Sequence, residues 1–136
     1  MKKKTYLREE RDLLNLIAIR PPEVLAIDVD GTLAEFKVWR GYFRLGRPIA
    51  RVVRWLRARK KAGAHIIIHS CRVSRADNSI FKASVNYLKE WLHKHRIPFD
   101  EIWTFSGKPG AAVYLDDHGY RVGCCECEKK LKVGRF

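Results

Sequence analysis

The feature that most constrains this chain is the stretch Val24-Leu25-Ala26-Ile27-Asp28-Val29-Asp30-Gly31-Thr32-Leu33, an apolar run that leads straight into two carboxylates and a glycine. Four apolar residues, bounded upstream by Pro21-Pro22 and downstream by Gly31, predict a short strand buried on both faces, as in a parallel sheet. Asp28 and Asp30 are two apart, so on a continuing strand they would project from one face at its carboxyl end. Open α/β sheets bind ligands at that end. Two adjacent carboxylates repel each other, and burying both without compensation costs several kcal/mol, on the order of 2 to 7 for each unpaired polar group. A cation is therefore expected beside them, and magnesium fits, since it takes one or two carboxylates and leaves room for a substrate phosphate.

Three further segments extend this reading. Ala64-His65-Ile66-Ile67-Ile68-His69-Ser70-Cys71-Arg72 is a second buried-strand signal that ends in a hydroxyl and a cation. Lys108 stands in Ser106-Gly107-Lys108-Pro109, and Ala111-Ala112-Val113-Tyr114-Leu115 runs into the pair Asp116-Asp117. This order, Asp-x-Asp-Gly-Thr, strand-Ser, Lys-Pro, strand-Asp-Asp, resembles the four motifs of the haloacid dehalogenase (HAD) superfamily of phosphotransferases, and most closely its small, cap-poor members. The resemblance covers about residues 24 to 120 and extends to the connecting segments Gly46-Arg47-Pro48, Trp91-Leu92, Ile97-Pro98-Phe99-Asp100 and Gly107-Lys108-Pro109. Many similar small members carry an acid where this chain has Ala112.

The resemblance implies a Rossmann-like α/β core with a doubly wound parallel sheet, and a magnesium-dependent phosphatase activity. Asp28 would be the nucleophile that forms an aspartyl-phosphate, and Asp30 the general acid and base, its backbone carbonyl also reaching the metal. Ser70 and the amides after it, at Cys71 and Arg72, would hold the phosphoryl group together with Gly31 and Thr32. Arg72 would offer a second phosphate contact, and Lys108 would balance the charge of Asp28 and of the phosphoryl group. Asp116 and Asp117 would complete the metal site with Asp28 and Asp30. Tyr114 and His118, which flank that pair, are expected to serve packing and a turn.

At 136 residues the chain is expected to form one domain. The gaps from Thr32 to Ser70 and from Ser70 to Lys108 are filled by predicted elements, which leaves no room for a cap domain. An open site would then be closed by a short flap, by a neighbouring subunit in a homo-oligomer, or by the substrate. Residues 1–22 are expected to form a helical extension, residues 23–123 the core, and residues 124–136 a tail.

Within the expected core, residues 33 to 48 mix Phe36, Trp39, Tyr42 and Phe43 with basic residues and two glycines, which suits a hairpin or flap. Ile49, Val52, Val53 and Leu56 recur at helical spacing and predict a helix to about Ala62, stopped by Gly63. A second helix is expected from about Asn78, capped by Asp77 or Asn78, to His95, burying Phe81, Val85, Leu88 and Leu92. Strands are expected at 65–69, 101–104 and 112–115.

Charge bears on partners. The formal net charge is +13, from 28 Lys and Arg against 15 Asp and Glu. Ten of those cations and no acid lie between Lys37 and Lys61. That segment leaves a second functional class open beside the phosphatase: a nucleic-acid-binding protein, or a phosphatase acting on nucleotides or polynucleotide ends. A solvated helix face is the plain alternative. The four cysteines, at 71, 124, 125 and 127, lack zinc-ligand spacing and read as reduced thiols. No stretch predicts a membrane span, no signal-peptide cleavage site follows the basic start, and a cytoplasmic protein acting on a phosphorylated substrate is the resulting expectation.

Overall fold

The computed structural model describes residues 23–73 and 80–118. The expected N-terminal helix, the cap at Asp77 or Asn78, and the tail with its three cysteines lie outside the described residues. Within them the elements follow in the order β1 (Val24–Ile27), α1 (Ala50–Lys61), β2 (His65–Ile68), a 3-10 turn (Cys71–Val73), α2 (Phe81–Lys94), β3 (Glu101–Ile102) and β4 (Val113–Leu115). The four strands form one parallel sheet in the order β3-β2-β1-β4. That order reverses between β1 and β4, the switch point of a doubly wound, Rossmann-like sheet.

Why these segments form strands is visible in their burial. Leu25 pairs with Ile66 and Ile27 with Ile68, and all four are fully buried in one cluster with Val53 and Leu56 of α1 and with Leu88 and Leu92 of α2. Each such side chain contributes about 1.5–3 kcal/mol when taken out of water. Ala26 and Ile67 alternate to the opposite face and are buried as well. Two-sided burial explains why the strands read as unbroken apolar runs rather than alternating ones.

Both helices are placed by their apolar stripes and stopped by the same device. Neither has a side-chain cap at its start. At the end of α1, Gly63 (φ +96°) donates to the carbonyl of Lys60 and Ala64 to that of Arg59. At the end of α2, Arg96 takes the same left-handed position (φ 53°), with Arg96 donating to His93 and Ile97 to Leu92. These are paired Schellman closures. The Arg57 side chain of α1 donates to the carbonyls of His95 and Arg96, which joins the two helix ends.

The buried stripe of α2 is close to the expected one. Ser84, Leu88, Trp91 and Leu92 are its buried residues, while Phe81 and Val85 are only partly buried. Val85 still packs against the core, and beside it Ser84 Oγ donates to the carbonyl of Arg72. Strand β3 is shorter than expected. After Ile102, Trp103 still donates to the Ile68 carbonyl, but the chain then turns away. Residues 35–47 form a flap without helix, closed by a bridge between Ala34 and Pro48 and by Glu35 donating to the Arg47 carbonyl. Among the described residues there is no cap domain, and no helix is long and apolar enough to cross a membrane.

Candidate active site

The parallel ladder continues one residue past the strands. Asp28 N–H donates to the Leu115 carbonyl and His69 N–H to that of Ile27. This extension delivers Asp28, His69 and Asp116 to one edge of the sheet, at the switch point between β1 and β4, where they line a cavity of about 820 Å³ with Ser70, Cys71 and Trp103.

Asp28, Asp116 and Asp117 converge there. One carboxylate oxygen from each lies within 4.8 Å of the others. Burial pushes the Asp28 carboxyl up to about 7, a backbone hydrogen bond from Val29 opposes this, and the charges of Asp116, Asp117 and Asp30 raise it further. Such a cluster is unfavourable unless protonated or bridged by a cation. Three hard oxygen donors on one open edge fit a magnesium ion by their chemistry.

Asp30 lies elsewhere than the spacing predicts. Strand β1 ends at Ile27, and the chain folds into a turn in which Leu33 and Ala34 donate to the Val29 carbonyl. The two-residue alternation of a strand thus ends before Asp30 is reached. Its carboxylate is gripped by Arg72, with Nε to Oδ2 at 2.6 Å and Nη2 to Oδ1 at 2.8 Å. The cation beside this carboxylate is therefore an arginine, and the Asp30 side chain is not part of the converging group.

Arg72 is 2% exposed. Besides Asp30 it donates from Nη1 to the Gly41 carbonyl at 2.8 Å and from Nη2 to the Arg44 carbonyl at 2.9 Å, and its guanidinium lies 4.6 Å from the centre of the Trp39 ring. Four of its five N–H groups are accounted for in this way. Here Arg72 holds the flap to the site rather than facing the cavity, in contrast to the expected phosphate contact. The flap could not be foreseen as its partner, because backbone carbonyls carry no sequence signature.

Other expected residues fall as follows. Ser70 is buried, lines the cavity and accepts from the Arg72 amide at 3.2 Å. Thr32 is buried, with its hydroxyl 3.4 Å from Asp28 Oδ2. Gly31 (φ +81°) packs directly under Asp117. Cys71 is exposed, and burial of its sulfur together with the charges of Asp28 and Asp30 raises the thiol, so it stays protonated. Lys108 Nζ stands 3.8 Å from the centre of the Tyr114 ring, while the Tyr114 hydroxyl donates to the Pro109 carbonyl. His118 N–H donates to Asp116 Oδ1, and its side chain lines the cavity with Nε2 3.5 Å from Asp117 Oδ2.

His69 was not among the sequence candidates. It lines the cavity, and burial and then the charge of Lys108 hold its imidazole below the usual range, which keeps it neutral. Its position directly before Ser70 at a strand end was the available signal. Trp39, Trp103 and Phe105 also line this cavity, and Phe105 is 65% exposed.

No protein-family model and no curated protein sequence matches the chain. Solved structures do. A crystal structure from Vibrio cholerae is 26% identical, over 82% of this chain and 98% of that one, with a TM-score of 0.54. The structure of a conserved protein from Bacteroides thetaiotaomicron is 21% identical, over 73% of this chain and 78% of that one, with a TM-score of 0.52. These likenesses place the chain in the α/β, Rossmann-like fold.

Proposed function

We propose that the protein is a magnesium-dependent phosphomonoester hydrolase of the haloacid dehalogenase type. The observation that carries this reading is the convergence of Asp28, Asp116 and Asp117 at the switch point of the sheet, with the Asp28 carboxyl raised to about 7 and facing an open cavity. Magnesium would be held by these three carboxylates and would supply the positive charge that offsets both Asp28 and a phosphoryl group.

The chain's own residues divide the remaining work. Asp28 Oδ attacks phosphorus, the bond to the leaving oxygen breaks, and Asp30 gives that oxygen a proton. Water then attacks the aspartyl-phosphate at phosphorus and loses its proton to Asp30, which releases phosphate and restores the Asp28 carboxylate. Ser70 Oγ and the amides that follow hold the phosphoryl oxygens. Electrostatic holding of this kind is usually the largest single contribution to the rate. To act as the acid, Asp30 must free one oxygen from Arg72 and take up a proton from solvent, so the ion pair opens or shifts before the first turnover; the attacking water then returns the proton for the next. Lys108 swings from the Tyr114 ring toward the phosphoryl group when substrate is present. Lysine's flexible stem permits this movement.

The test is phosphate release from a small aryl phosphate with magnesium and with chelator, for the natural protein and for Asp28→Asn with its circular dichroism checked. Turnover that needs magnesium and falls at least about a thousandfold in Asp28→Asn is the expected result. Comparable turnover in Asp28→Asn would overturn the nucleophile, and turnover in chelator would overturn the metal.

A further inference from the structure

A second cleft, of about 560 Å³, opens beside the catalytic cavity between the flap and α2. Asp30 and Phe36 line both spaces, so the two are contiguous. Six cations line this cleft: Arg72, which is paired with Asp30, and Lys37, Arg40, Arg44 and Arg47 from the flap with Lys94 from α2. Apart from Arg72, none of these cations makes an ion pair with an acid among the described residues. The acids of the cleft are Glu35 and Asp30, and Asp30 is already neutralised by Arg72. His95 also lines it, but burial and Lys94 hold that imidazole neutral.

Around the cleft the surface is aromatic in an unusual way. Phe36 (40% exposed), Trp39 (45%) and Phe43 (48%) present large rings to solvent from the same flap that carries four of the cations. A flap that only closed over a small substrate would gain by burying them. Exposed rings beside uncompensated cations match a ligand that carries several phosphates with flat, unpaired bases between them.

We propose that this cleft binds the chain of a single-stranded polynucleotide whose terminal phosphate enters the catalytic cavity. The proposal rests on the phosphatase reading for the terminal step alone; the cleft binds without turnover. The cleft's cations track the phosphates, and Phe36, which lines both spaces, and Trp39, in the catalytic cavity, take the last bases. A duplex is disfavoured because paired bases present no face to the rings. The basic residues of α1 at 51, 54 and 61 do not line the cleft and have no part in it.

The experiment compares two triple variants that remove equal charge. One is Arg40→Gln, Arg47→Gln, Lys94→Gln in the cleft, and the other Arg51→Gln, Arg54→Gln, Lys61→Gln on α1. For each, the full-length protein is assayed with magnesium on a small aryl phosphate and on ten-residue ribo- and deoxyribo-oligonucleotides carrying a 3′ or a 5′ phosphate. Binding of the same oligonucleotides to Asp28→Asn backgrounds is followed by fluorescence anisotropy across a salt series.

The cleft variant is expected to lose at least about tenfold in oligonucleotide turnover relative to the aryl phosphate, through KM. Its log–log salt slope should fall by about 2, from roughly 0.7 for each phosphate that is no longer neutralised. The α1 variant should stay within about twofold of the natural protein on both counts. The ribo, deoxy, 3′ and 5′ arms identify which polynucleotide end is used. Equal losses in the two variants would overturn the cleft in favour of general attraction. Unchanged oligonucleotide binding in the cleft variant would overturn it outright, as would cleft-dependent binding to phosphatidylserine vesicles without oligonucleotide binding. If no phosphoester is hydrolysed but Asp28→Asn binds oligonucleotides through the cleft, the phosphatase reading fails and the cleft stands.

Discussion

Gly31 and Asp117 approach so closely that a Cβ added to Gly31 would collide with the Asp117 carboxylate. The turn after β1 and the end of β4 are thus fitted to each other at the carboxylate cluster, and the glycine also holds a left-handed φ of +81°. Gly31→Ala is expected to cost about 1–3 kcal/mol from backbone strain and to displace Asp117. Chemical denaturation should register the stability loss. A magnesium titration followed by thermal melting should show weakened metal binding, and unaltered binding would contradict the fit.

Arg72 ties the flap to the site, so its loss should be felt in both places. Arg72→Ala leaves the Asp30 carboxylate, whose side chain is 14% exposed, without its cation, at a cost of about 3 kcal/mol or more. Arg72→Lys keeps the charge but not the fork and should recover only part of this. Limited trypsin digestion is expected to cut faster after Lys37, Arg40 and Arg44 in both variants, and an unchanged cleavage rate there would show that the flap is held by other contacts.

The raised Asp28 carboxyl gives a definite sign to the pH dependence of the metal-free protein. Its pKa is 3.8 in the unfolded chain and about 7 in the folded one, so its contribution to stability is complete below about 4 and is lost as pH rises through about 7. In chelator, Asp28→Asn should therefore gain on the natural protein across this window. The gain should reach on the order of 2 kcal/mol by pH 7.5, allowing for solvent screening at an open site. Urea unfolding at several pH values measures it, and a difference independent of pH would contradict the assignment.

Asp116 and Asp117 repel Asp28 in the metal-free state and attract a cation when one is present. Replacing both by Asn should raise metal-free stability by about 1 kcal/mol. The same change should abolish the stabilisation by magnesium, which for the natural protein amounts to about 2.7 kcal/mol at a concentration one hundred times Kd. Thermal melting with and without magnesium gives both quantities. A magnesium shift that survives in the double variant would place the ion elsewhere.

Much of the fold could be read from the chain by itself. The runs at 24–27 and 65–68 are apolar on consecutive residues because both faces of a parallel strand are covered, and the i, i+3, i+4 spacing of Ile49, Val52, Val53 and Leu56 marks a helix with one buried stripe. The glycines at 31 and 63 marked a turn and a helix end because left-handed backbone selects them. Asp28, Ser70 and Asp116 follow apolar runs in the chain and line one cavity at the sheet edge, since strand ends in a parallel sheet all point the same way.

Only the tertiary structure decided how those groups pair. The end of β1 at Ile27 sends Asp30 to Arg72 instead of to the converging carboxylates, because a turn of backbone hydrogen bonds to Val29 overrides the two-residue alternation. Arg72 faces the flap because the acceptors that hold it are carbonyls of Gly41 and Arg44, and any residue supplies a carbonyl. Lys94 joins the flap's cations in one cleft, while Arg51 and Arg54, nearer in sequence, do not. Residue types and local periodicity set which groups were available; which side chain met which across thirty or forty residues depended on packing that no local pattern encodes.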